Sequence, residues 1–368
     1  MTPARQYKSW NQPILITAVE ILLEGTENRT VDLRDRLILL PTRQAGRRLR
    51  EALAWKMDQQ DGALFPPMTT TPWHLVRPGD DAAPELACLW HWNRVLEKVD
   101  LRRFNNLFPQ PPKHPDYTWR RQTSRILHGL RGTLAEGDLD CATVVESEDC
   151  PEELARWHDL KKLESAYRKM LGGQTDLHDA KRQAAQVPVL PPGISRVTLL
   201  GVPDLPVLVQ RALEKLATDG IPVEAIIFGP KDEGKFFDDW GRPEPEYWAT
   251  RELPLVDGQL NTRLNEIAQA NEIAARLAPY DSNRSSHVAV GVADTTVTPH
   301  LERALADVEI PCFNPDGRLL RNAPMVAFLR ALQSLLQQRS FNHADALLRL
   351  PDAWGWARGQ VDELSPTR

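Results

Sequence analysis

The sequence predicts an α/β protein in which parallel sheets are covered by helices and one all-helical stretch is inserted into the first sheet. Three observations carry this. Short runs rich in branched apolar residues recur at 13–23, 37–40, 197–201 and 222–228, the signature of strands buried on both faces. Between them, 79–187 shows apolar residues at i, i+3, i+4 spacing only, which is helical periodicity. Beyond 250, helical and strand-like segments alternate again, as βα units do.

Taken in order, "PILITAVEILL" (13–23) reads as a strand running into a helix, and "RLILLP" (36–41) as a second buried strand. Pro41 stops that strand and Thr42 is suited to cap the helix "RQAGRRLREAL" that follows, by accepting an N–H bond from its first turn. Three helices follow in "PELACLWHWNRVLEKV", "DYTWRRQTSRILHGLRGTL" and "CPEELARWHDLKKLESAYRKML". Strand character returns in "SRVTLLGVPD", then a helix from about Pro206 to Ala217 that stops near Gly220, then a strand in "PVEAIIF". Asp204 is read as the cap of that helix. The Gly-, Pro- and acid-rich "FFDDWGRPEPEYWATRELPLVDG" marks a junction near 250. After it come a helix "NTRLNEIAQANEIAARLA", a strand "HVAVGV", a helix "PHLERALADV", a strand "IPCFN" and a helix "MVAFLRALQSLLQQ". The expected domains are therefore 1–78 with 188–250, a helical insertion 79–187, and a second α/β domain over 251–368.

Composition narrows the function. The 368 residues are 42% hydrophobic and 26% charged, which is usual for a globular chain. No apolar run approaches the ~18 residues of a membrane span, and the start "MTPARQYKSWNQP" lacks a secretion signal's apolar core, so a cytoplasmic protein without membrane contact is expected. The four cysteines, Cys88, Cys141, Cys150 and Cys312, form neither a C-x-x-C pair nor a zinc-finger spacing with histidine, which predicts reduced thiols and no metal site. A net charge of -5 argues against indiscriminate nucleic-acid binding. The average hides blocks, however: seven basic against two acidic residues over 34–56, nine against three over 94–131, and ten acidic against three basic over 136–164. Positive surface in the first third can attract a polyanion.

The candidate site lies in that third. Arg43, Arg47 and Arg50 share one helical face and Leu49, Leu53 and Met57 another. A helix start with free N–H groups and nearby arginines suits phosphate, so Thr42, Arg43, Gln44 and Arg47 are candidate DNA contacts. A solvated amphipathic helix fits the same residues equally well. Trp73 and His74, in "TTTPWHLVRP", could stack on a base, or simply pack a loop. "GPKDEGKF" (229–236) imitates a phosphate loop but has Phe236 where Ser or Thr must hold magnesium. No catalytic constellation and no cofactor site is expected.

At these residues a resemblance appears. "LPTRQAGRRLREAL" resembles motif Ia of UvrD-like superfamily-one helicases, and more closely the version in AddB/RexB-type subunits of bacterial helicase-nucleases. "TTTPWHLVR" resembles the next motif, "VTLLGVPDLPVLVQRALEKL" stands in the place of the Walker B strand, and "FDDWGRP" and 287–336 resemble the segments that follow. The resemblance covers most of the chain from about residue 10, for the insertion by position only. It implies two RecA-like domains with degenerate nucleotide motifs, because "PILITAVEILLEGTENRT" lacks Gly-Lys-Thr and the second strand lacks Asp-Glu. It further implies a non-motor DNA-binding module that guides single-stranded DNA, acting on DNA ends in double-strand-break repair beside an AddA-like helicase-nuclease subunit. The PD-(D/E)XK nuclease domain of that family would lie beyond residue 368, so the second domain is expected to be truncated. The alternatives are a Rossmann-like nucleotide-binding enzyme with its site near Thr42 and Gly201, or a protein-interaction scaffold.

Overall fold

The structure, a computed structural model, describes residues 3–25, 29–147, 153–252, 254–280, 288–315, 317, 319–320, 323–350 and 353–355. The chain divides into two units, Met1–Leu253 and Pro254–Arg368.

The first unit is built on β1 (Ala4–Lys8), α1 (Ile14–Leu23), β2 (Thr30–Asp32), β3 (Arg36–Leu39), α2 (Arg43–Asp58), β4 (Ala63–Phe65) and β5 (Met68–Thr70). The insertion follows as α3 (Glu85–Lys98), α4 (Tyr117–Glu136), α5 (Cys141–Glu146), α6 (Leu154–Met170) and α7 (Leu177–Gln186). Then come β6 (Arg196–Leu200), α8 (Val207–Thr218), β7 (Val223–Phe228) and the short α9 (Pro245–Ala249). Five strands form one all-parallel sheet in the order β1-β7-β6-β3-β5, while β2 and β4 pair in a separate two-stranded sheet.

Strand alternation sends neighbouring side chains to opposite faces, and here both faces are covered. Ile38, Leu40, Leu200 and Ile226 pack under α1 and α2 with Ala18, Leu22, Leu49 and Leu53. Leu37, Leu39, Val197, Leu199, Val223 and Ala225 pack on the other face against Leu208, Val209, Ala212, Leu213 and Leu216 of α8. The sheet is therefore doubly wound. Its β3 and β6 are neighbours, with Leu37 opposite Val197 and Leu39 opposite Leu199, although the whole insertion separates them in sequence.

Residues 13–23 differ from expectation: Pro13 precedes a helix that runs through the entire segment. Its buried residues are Ala18, Val19 and Leu22, with Thr17 beside them. The strand lies instead in the polar 4–8, which sits at the sheet edge and pairs only with β7. Strands β4 and β5 also escape the sequence reading, being three residues each and too short to show a period.

Gly46 sets the distance between α2 and the sheet. A Cβ there would stand 2.9 Å from Thr69 Oγ1 and 3.0 Å from Thr69 Cβ, so the helix approaches β5 closely enough to exclude a methyl group. Gly201, directly after β6, has φ +57, a left-handed turn that glycine adopts without strain.

The insertion has its own core, with Trp92 stacked on Tyr167 at 4.1 Å and Leu96, Leu127, Leu160 and Leu163 around them. Within it Arg131 of α4, 4% exposed, reaches Glu164 at 2.7 Å, Asp176 at 2.7 Å and Asp179 at 2.9 Å. Burial works against its charge, but Asp176, Asp179 and Glu164 more than offset it and the guanidinium pKa is raised. Arg182 continues the network to Asp138 at 2.8 Å and Asp140 at 3.1 Å, and Arg211 of α8 also pairs with Asp138.

In the second unit, α10 (Glu266–Leu277) packs on α11 (Thr298–Asp307) through Ala270, Ala274, Leu301, Ala304 and Leu305. A further pair, α12 (Pro324–Gln337) and α13 (Phe341–Leu348), contains no buried residue. The strands expected at 287–292 and 310–314 are not formed: His287 lies outside the described residues, and 288–292 and 310–314 have no regular structure. A strand requires a hydrogen-bonded neighbour, and the exposed Val288, Val290 and Val292 have no strand partner among the described residues. No second sheet is thus present among the described residues of this unit.

Two stability predictions follow from the packing. Gly46→Ala should destabilise in urea unfolding, against the ~1 kcal/mol that alanine gains over glycine within a helix, and Thr69→Ala should recover part of the loss in a double-mutant cycle. Arg131→Ala should cost about 3–5 kcal/mol, because it leaves buried carboxylates unpaired; a loss below ~1 kcal/mol would show that they do not depend on Arg131.

Candidate nucleic-acid interface

In a doubly wound sheet, ligands collect outside the carboxyl ends of the strands, where neighbouring strands send their connections to opposite faces. Here β3 leads into α2 on one face and β6 into α8 on the other. The switch point therefore falls between Pro41–Thr42 and Gly201–Asp204.

Thr42 has extended backbone, φ -137 and ψ 154, and its Oγ1 accepts from the Ala45 amide at 3.0 Å. The first turn of α2 holds no acidic residue, so the partial positive charge of the helix start is uncompensated there. Arg43 is exposed and makes no ion pair among the described residues. Arg47 is held by Glu51 at 3.3 Å, and Arg48 by the same carboxylate at 3.5 Å. Gln44 is half-buried, with its side-chain nitrogen in the interior and without an acceptor. Asp204 does not cap α8: Pro206 occupies the capping position, without a side-chain bond, and the first helical residue is Val207.

The 71–74 segment stands on the neighbouring strand. Register pairs Leu39 with Thr70, and the Leu40 amide donates to Thr70 O at 2.9 Å, so Thr42 and Trp73 leave adjacent strand ends. They go to opposite faces. Residues Pro72–Val76 form a 3-10 turn whose Leu75 and Val76 enter the core on the α8 side. Trp73 is half-buried against that core, with the Lys181 ammonium of α7 5.2 Å from its ring centroid. His74 is half-buried beside it. The structure thus brings the two segments to one sheet edge but not into one side-chain cluster.

Lys181 was missed because its relation to Trp73 is purely tertiary; nothing in "LHDAKRQAAQ" signals an aromatic partner. The 94–131 block also changes meaning. Arg131 is buried, Arg94 and Arg120 pair with Glu97, and Arg103 pairs with Asp100. Arg121 and Arg125 remain exposed without an ion pair among the described residues. Glu164 of the acidic block neutralises Arg131 internally, so the two blocks partly cancel.

The imitation phosphate loop is a 3-10 turn, Lys231–Phe236, with no α-helix start behind it, and Glu233 pairs with Arg251. Cys88 and Cys141 are free and buried and Cys312 is free and exposed, while Cys150 lies outside the described residues. Burial, with Glu164 nearby, pushes the Cys141 thiol up to about 12, far from a nucleophile's range. Among the described residues no cluster of His, Cys, Asp or Glu could hold a metal, and no helix is long and apolar enough to cross a membrane. The chain matches no known family model and no curated protein sequence.

In α4 and α7, His128 and His178 lie with ring centroids 4.5 Å apart and planes tilted by 42°, and neither ring nitrogen of His178 has a hydrogen-bond partner among the described residues. Burial first, and His128 second, lower the His178 pKa to about 4; burial lowers that of His128 as well. The fold therefore resists a proton that the unfolded chain accepts at the ordinary 6.5. Stability from this pair is complete above pH ~6.5 and is lost as pH falls toward ~4. Urea midpoints of the full chain should drop between pH 7.5 and 5, and His178→Leu should flatten that drop; an equally steep drop in the variant would exclude His178 as its source.

Proposed function

We propose that the chain is a non-motor, helicase-like DNA-binding module that guides single-stranded DNA, of the kind found in AddB/RexB-type subunits. The first unit is read as a RecA-like domain whose nucleotide motifs are degenerate. The second RecA-like domain expected over 251–368 has no strand among its described residues, so the proposal rests on the first unit. By the same resemblance the module would work at DNA ends in double-strand-break repair, with an AddA-like helicase-nuclease subunit supplying motor and nuclease.

One observation carries the reading: a Thr42-capped helix start at the switch point of a parallel sheet, free of acidic residues in its first turn and followed by exposed arginines. Its N–H groups and Arg43 offer a phosphate both hydrogen bonds and charge. Arg47, one turn on, adds a second cation once it leaves Glu51. Lysine and arginine at such an edge contact the sugar-phosphate backbone, which positions a strand without reading its sequence.

Fluorescence anisotropy with a labelled oligonucleotide across a salt series tests this. Binding should be weak and fall with salt at a logarithmic slope of about -0.7 per phosphate contact. Arg43→Ala with Arg47→Ala should weaken all sequences alike and flatten the slope by roughly one to two units. Wild-type chain that fails to bind at low salt, or a double variant that keeps affinity and slope, would overturn the proposal.

A further inference from the structure

The Trp73 ring does not offer a free face on the side of α7, because Lys181 occupies it. The lysine ammonium stands 5.2 Å from the ring centroid, within the range in which a cation is attracted by an aromatic face. It makes no ion pair among the described residues. The two carboxylates at the start of its own helix are taken: Asp176 by Arg131 and Tyr167, Asp179 by Arg131 and Arg168. An unpaired ammonium held on a ring retains its three N–H donors for a ligand, and an oxyanion is what such a group binds.

The position is equally specific. Helix α7 is the last element of the insertion and packs on both the Pro72–Val76 turn and α8. Arg182, next to Lys181 in the chain, is fixed by Asp138 and Asp140, and His178 one turn earlier is buried. The segment around Lys181 is therefore held both to the rest of the insertion and to the 72–76 turn and α8. Thr42 follows β3, and Trp73, whose ring Lys181 meets, follows β5; the two strands are neighbours.

We propose that Lys181 is a backbone-phosphate contact of the same strand-binding edge as Thr42, Arg43 and Arg47, contributed by the helical insertion. In this arrangement Trp73 is a positioning residue that holds the ammonium, and a base does not stack on the face Lys181 covers. The strand then runs across the ends of β3 and β5 and touches both the sheet-borne helix α2 and the insertion. This rests on the reading of that edge as a binder of single-stranded DNA.

The experiment is anisotropy of labelled oligo(dT) and of a mixed-sequence oligonucleotide over a salt series, with the full chain and thermal melting as a folding control. Lys181→Met should weaken both oligonucleotides equally and reduce the salt slope by about 0.7, the share of one single-strand phosphate contact, while Lys181→Arg should restore it. Trp73→Ala should reproduce the slope loss and add nothing to Lys181→Met; should Trp73→Ala not fold, Lys181→Met decides alone. If Arg43→Ala with Arg47→Ala flattens the slope and Lys181→Met does not, Lys181 is no contact while the edge still binds DNA. Loss of affinity in Trp73→Ala at constant slope, additive with Lys181→Met, would make Trp73 a base platform and overturn the assignment. Absence of wild-type binding at low salt would remove the DNA reading and this contact together.

Discussion

Parallel pairing of β3 with β6 is the constraint on which the rest depends. Parallel neighbours cannot be joined by a tight turn and need a crossover, and here residues 40–195 lie between the two strands. This long excursion must return so that Leu37 meets Val197 and Leu39 meets Leu199. The pairing also fixes where the sheet reverses its winding, since α2 leaves β3 toward one face and α8 leaves β6 toward the other.

The charge network of the insertion links α4, α6, α7 and α8. Arg131 ties α4 to α6 and to the start of α7, Arg182 ties α7 to Asp138 and Asp140 just after α4, and Arg211 brings α8 to the same Asp138. A buried guanidinium surrounded by three carboxylates is poor evidence for net stability, because desolvation is large. Its three carboxylates come from α6, the start of α7 and Asp179, so the guanidinium bridges elements that are far apart in sequence. Apolar contacts such as Trp92 on Tyr167 drive the collapse, and the ionic contacts bridge its helices.

Electrostatics at the sheet edge works by subtraction. Most arginines of the first unit are paired, and the paired ones contribute little field beyond their partners. Among the described residues Arg43 makes no ion pair and the first turn of α2 holds no acid, while the Lys181 ammonium lies on the Trp73 ring. An uncompensated helix start favours an oxyanion, and the formal net charge of -5 opposes a strong field for a polyanion over the chain as a whole.

The sequence by itself determined those features whose cause is local. Period and β-branching gave β3, β6, β7 and the helical character of 79–187; the Thr42 cap and the division of α2 into arginine and leucine faces follow from residue spacing. Missing phosphate-loop residues could also be read directly. The tertiary structure decided the features whose cause is a distant neighbour. Whether 4–8 or 13–23 became the strand depended on a place beside β7. Whether 288–292 and 310–314 became strands depended on hydrogen-bonded neighbours, and none stands beside them among the described residues. Whether Arg131 faced solvent depended on carboxylates more than thirty residues away in sequence, at Glu164, Asp176 and Asp179, and whether Trp73 had a free face depended on Lys181. Helices and caps form from groups within four residues of one another, so one stretch of sequence contains their cause. Strand pairing, burial of a charge and occupancy of an aromatic face are properties of pairs, and only the folded chain supplies the second member.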